Sequence, residues 1–61
     1  MPREILRYFD YDHLPEKLAK VSRPFYDLAM DIDENIPDSA ESTVALRKLL
    51  EAKDAAVRAA L

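Results

Sequence analysis

Three cations in the second half of the chain, Arg47, Lys53 and Arg58, have the chemistry to hold an anion. Arginine offers a planar fork that grips a phosphate through two parallel hydrogen bonds, whereas lysine acts as a point charge. Near the start, Phe9, Tyr11 and His13 stand close together. An exposed ring can stack on a nucleobase, a contact worth about 1–3 kcal/mol per base. Cations beside a flat apolar wall are what a ligand carrying both phosphates and bases requires. Each residue also has an ordinary reading. Phe9 and Tyr11 can cap the core of a helical pair. His13 can be a turn residue bonded to backbone, and Arg47 and Arg58 can be solvated surface groups. Lys53 can lay its stem on apolar surface with its ammonium in water, or pair with Asp27 or Asp31 of a neighbouring helix.

Other chemistry is poorly supplied. His13 is the single histidine and there is no cysteine, so a metal site is not expected. No nucleophile lies near a base, and a chain without glycine has no phosphate-cradling glycine loop. The acids Asp27, Asp31, Asp33, Glu34, Asp38 and Glu41 follow one another with no base between them. Paired carboxylates can do acid–base work or bind calcium, but this run has no calcium-loop glycine. A solvated face that discourages wrong subunit packing is the favoured reading. We expect no enzymatic activity, no cofactor and no metal.

The elements that must carry these groups are helical. Residues 38–61 contain no Gly or Pro and are rich in Ala, Leu, Arg, Lys and Glu, all strong helix formers. Asp38 is expected as the N-cap, with the Glu41 carboxylate reaching back to the cap N–H. Ser39 either assists that cap or contributes a hydroxyl contact. At about 100° per residue, Ala45, Leu46, Leu49, Leu50, Ala52, Ala56, Val57, Ala60 and Leu61 fall on one side. Lys53 lies near the middle of that stripe, with Arg47, Asp54 and Arg58 on one rim. An ammonium centred on a packing face is costly unless an anion meets it.

A first helix is expected over 15–35, with Pro15 in its first turn. Leu14, Leu18, Val21, Phe25, Leu28 and Ile32 alternate in steps of four and three, a heptad seam. Pro24 interrupts it, predicting a kink or a restart capped by Ser22, since proline inside a helix costs about 3 kcal/mol. The break Asn35-Ile36-Pro37-Asp38 is short enough to turn the second helix back on the first. Residues 1–14 form an aromatic N-terminal segment, with a short helix expected over Pro2–Arg7. The fold class is therefore all-α, an antiparallel helical hairpin with a kinked first helix.

Sixty-one residues with net charge −3 make one small domain, 1–61. A chain of that length buries only about 60% of its unfolded surface. With no cysteine to staple it, self-association into a homo-oligomeric bundle is the expected remedy. Ala45, Ala52, Ala56 and Ala59 would let another helix approach closely. Twelve acids against nine bases argue against binding polymeric nucleic acid. No apolar run is long enough to span a membrane, and no signal-peptide core follows Met1.

Two motifs carry a resemblance. The first is Phe9-Asp10-Tyr11-Asp12-His13-Leu14-Pro15; the second is Pro37-Asp38-Ser39-Ala40-Glu41 followed by Ala45-Leu46, Leu49 and Ala52. In this order the chain, over residues 8–61, is similar to the phage hairpin domain shared by anti-CBASS and anti-Thoeris proteins. These are viral sponges that sequester the cyclic nucleotide signals of bacterial immunity. The family's aromatic-x-Tyr-His-x-Pro pattern has one residue more here, between Tyr11 and His13. Relatives often carry Trp and Asn in the last turns of the second helix, where Ala55 and Val57 stand; Arg58 offers a phosphate contact there. The resemblance implies a homo-oligomer, commonly a hexamer, in the cytoplasm of the infected host. It implies pockets between subunits for cyclic di- or trinucleotides or glycocyclic ADP-ribose, bound and released intact. Phe9, Tyr11, His13, Arg47, Lys53 and Arg58 are the expected ligand contacts. The alternative is a non-catalytic, self-associating hairpin that binds another helical protein through its open seam.

Overall fold

The computed structural model describes residues 4–61. It is all-helical: a 3₁₀ helix, η1 (Glu4–Phe9), and two long helices, α1 (Glu16–Asn35) and α2 (Ala40–Ala60). A helix of this length spans about 30 Å at 1.5 Å per residue. The longest dimension of the molecule is 34 Å, so α1 and α2 lie side by side and not end to end. The short connection 36–39 returns α2 along α1 as a hairpin, and η1 packs against both helices.

Several boundaries differ from the sequence expectation. The short helix expected over Pro2–Arg7 is, over the described residues, a 3₁₀ helix Glu4–Phe9 that runs two residues beyond the expected end; the expected start lies outside the described part. The 3₁₀ form suits a short piece, because its poorer hydrogen bonds rarely sustain longer runs. Pro15 is the N-cap of α1 and not part of its first turn. Two N–H groups, Leu18 and Ala19, donate to the Pro15 carbonyl, at 2.9 and 2.8 Å. The helix runs without interruption through Pro24, and Ser22 is an interior residue and no restart cap.

The second helix is capped one residue later than expected. Ser39, extended at φ −160° and ψ 170°, is the N-cap, and the expected pair Asp38 and Glu41 is replaced by Ser39 and Ser42. The Ser42 N–H donates to the Ser39 hydroxyl at 3.1 Å, and the Ser39 N–H donates to the Ser42 hydroxyl at 2.8 Å. Two short hydroxyls at this spacing satisfy two N–H groups reciprocally, so Ser39 takes the capping role of the two considered for it.

The core is small. Leu6, Phe9, Ala29 and Leu46 are its buried apolar residues, with Phe25, Tyr26, Met30, Leu49 and Leu50 among those packed against it. On α1 the buried positions are Ser22 and Ala29, two turns apart. The packing face therefore centres about 70° round the helix from the heptad seam, judged at 100° per residue. Small side chains win the contact because they let the helix axes approach, and the bulky seam is left on a shoulder. Leu28 in that seam is 47% exposed.

One groove of the hairpin is filled and the other is not. Of the residues that pack against the core, projection of the helices places Tyr26, Met30 and Leu50 on one side of the helix pair, with Phe25, Ile32 and Leu49 nearer the other. On the opposite side, projection of the helices places Val21 and Leu28 of α1 beside Ala45, Ala52 and Ala59 of α2. All three alanines are exposed, Ala45 and Ala52 although they were expected on the apolar side of α2.

Candidate functional site

The second helix presents its cations on two different faces. Lys53 lies on the face turned to α1. Ala29 and Leu46 share the core cluster, and two turns further along each antiparallel helix stand Ser22 and Lys53. Ser22 is fully buried and its hydroxyl has no hydrogen-bond partner among the described residues. The Lys53 side chain is only 12% exposed, and its Nζ lies 3.0 Å from an Asp54 carboxylate oxygen. Lys53 thus neither reaches freely into water nor pairs with Asp27 or Asp31. The adjacent residue supplies the anion, because position 54 lies about 100° round the helix and can fold its carboxylate back over the rim.

Arg47 and Arg58 are exposed, and neither forms an ion pair with another of the described residues. They are eleven residues apart on nearly one line of the helix, a rise of about 16 Å. Between them along that strip stand Glu51, which lies 4.0 Å from Lys48, and Asp54. One chain therefore does not bring the two guanidinium groups together on one small anion.

The aromatic segment divides in two. Phe9 has no exposed surface and belongs to the core, the ordinary reading of that ring. It offers no face to a base. Tyr11 is half-buried, its ring meeting Tyr26 edge-on with centroids 5.4 Å apart and planes at 77°. An edge contact of this kind fixes one tyrosine against the other. His13 is exposed in the turn 12–14, which is closed by the Leu14 N–H donating to the Tyr11 carbonyl at 3.0 Å. That turn precedes α1, so His13 sits at the same end of the hairpin as Arg58 in the last turn of α2.

Three groups escaped the sequence reading. Tyr26 holds Tyr11, and its place beside Phe25 on α1 was the available signal. Arg7 stacks over Tyr8 at 5.1 Å from the ring centroid, with Glu4 at 3.3 Å from its guanidinium, making an exposed cation–aromatic pair. The adjacency of Arg7 and Tyr8 in sequence was the hint. The buried Ser22 hydroxyl had no signal, because only the rotation of the packing face puts it inside.

Among the described residues, no group of three or more His, Cys, Asp or Glu side chains could hold a metal ion. Nor is any helix among them long and apolar enough to cross a membrane. Comparison with protein-family profiles, with curated proteins and with solved structures gave no match.

Proposed function

We propose that this protein is a non-catalytic binder that self-associates and captures a small cyclic nucleotide between subunits. In an infected bacterium such a protein lowers the free signal below the level that activates CBASS or Thoeris effectors. The observation that carries the reading is the split display of recognition groups. His13 and Arg58 lie at one end of the hairpin, Tyr11 packs on Tyr26 midway along α1, and Arg47 projects about 16 Å from Arg58 along α2. A single chain has fragments of an anion and ring site but no enclosed one. A second subunit closing over that end would supply the missing wall, which suits a doubly anionic ring better than a mononucleotide.

The resemblance in Phe9–Pro15 and Pro37–Ala52 supports the choice of ligand class. Capture is stoichiometric, so tight binding through slow release is the property that matters. The protein's role is to hold and not to transform its ligand.

Titration calorimetry against cyclic dinucleotides, cyclic trinucleotides and glycocyclic ADP-ribose tests the reading. Binding of at least one of them at micromolar concentration is expected, with chemically unchanged ligand recovered after heating the complex. Loss of one charged hydrogen-bond donor costs about 1.5–3 kcal/mol. Arg58→Ala should accordingly weaken binding by roughly ten- to a hundredfold while the oligomer survives. A flat calorimetric trace for the whole panel would favour the second reading, a hairpin that docks a helical protein. The exposed Leu28 and its neighbours opposite η1 are the surface that reading would use.

A further inference from the structure

The charges of α1 are arranged against its own dipole. A helix is favoured by acids in its first turns and bases in its last. In α2 that rule holds, with Glu41 at the start and Arg58 at the end. In α1 it is reversed beyond the first residue: Lys17, Lys20 and Arg23 precede Pro24, and Asp27, Asp31, Asp33 and Glu34 follow it. The last turn holds no base. The hairpin fold deepens the asymmetry, since α2 begins with Glu41 beside the acidic end and finishes with Arg58 beside the basic one, the charge of Lys53 being met by Asp54. Within one chain Lys20 meets Glu16 at 3.6 Å and the Asp31 carboxylate accepts from the Asn35 amide at 2.6 Å, and neither contact joins the basic half of α1 to its acidic half.

It does fit a second copy laid antiparallel. Pro24 sits midway between Lys17 and Asp31, and Val21 and Leu28 lie between those two charges on the same shoulder of the helix. A two-fold axis near Pro24 would set Lys17 of one copy against Asp31 of the other, twice over, with Val21 facing Leu28 inside. The shoulder borders the groove that η1 leaves open, where Leu28 is 47% exposed. We infer that two copies of this chain pair through α1, antiparallel about Pro24, covering the open groove and bringing opposite charges together at both ends. This rests on the self-association of the proposed function and assigns it a face and a register.

The test is a charge exchange followed by sedimentation equilibrium at low and high salt, with circular dichroism to confirm folding. Lys17→Glu and Asp31→Lys should each weaken association about tenfold, because each places two like-charge contacts in the interface. The combined K17E/D31K variant should associate nearly as well as the unchanged protein. Association of the unchanged protein should weaken as salt rises through the range where the Debye length falls below about 8 Å. Wild-type association in both single variants, or no recovery in the combined one, would overturn the pairing. A monomer at every concentration would overturn it too, and the self-association with it. Calorimetry of the same samples with cyclic di-AMP and a cyclic trinucleotide separates the two ideas. Charge-insensitive assembly that still binds ligand would sink the register alone. Charge-exchanged pairing with no ligand bound would sink the proposed capture and leave the pairing standing.

Discussion

At the scale of single residues, two polar groups on the helix–helix faces decide most: the buried Ser22 and the largely covered Lys53. An unpaired hydroxyl inside a protein forfeits the hydrogen bonds it made with water, about 1–3 kcal/mol. Ser22→Ala also improves helix propensity, so the variant should be more stable by about 1–2 kcal/mol in thermal unfolding. A loss of stability instead would show that the hydroxyl is satisfied by a group the chain does not itself provide. Lys53→Met keeps the covered stem and removes the ammonium. It should leave stability unchanged or raise it slightly, since a shielded ion pair is often no better than an apolar side chain of similar shape. The anomaly of Lys53 was legible from spacing alone, because a charge in the middle of an apolar stripe stands out at any rotation. Its partner was not legible. Choosing among Asp27, Asp31 and Asp54 depends on the phase of α1, and the heptad seam gave that phase about 70° away from the observed packing face.

At the scale of elements, both long helices could be read from the sequence, and their ends could not. Propensity and periodicity are summed over many residues and survive local error. A cap depends on one or two side chains with competing neighbours. Asp38 and Ser39 are both good N-cap residues, and Ser42 tips the choice by closing the reciprocal pair with Ser39. Ser39→Ala should therefore cost about 1–2 kcal/mol, seen as a lower denaturant midpoint with unchanged slope. Pro24 was expected to kink α1 or to make it restart with Ser22 as cap. There is no restart: the helix continues, with the Lys20 carbonyl deprived of its usual N–H partner. Its position on the shoulder away from the core explains the tolerance, since a bare carbonyl there can be met by water.

At the scale of the whole molecule, the chain is a hairpin bound across one groove by η1. Phe9 is the side chain by which it holds, fully buried against a core of few residues. Phe9→Ala should cost about 3–5 kcal/mol. Small proteins have only about 0.05–0.15 kcal/mol of stability per residue, so the isolated variant is expected to be largely unfolded by circular dichroism. The hairpin was foreseeable from two helical patterns and a short break between them. The covering of only one groove was not, because the aromatic segment 1–14 carries no sharp period and could have served core or ligand equally. There is a temporal consequence in how Phe9 is housed. Its companions Ala29 and Leu46 lie twenty and thirty-seven positions downstream, so during synthesis the earliest aromatic rings must wait, uncovered, for the last helix to be made. The molecule matures all at once or not at all, and any chain interrupted before α2 would reach the cell with its greasiest end still searching for shelter.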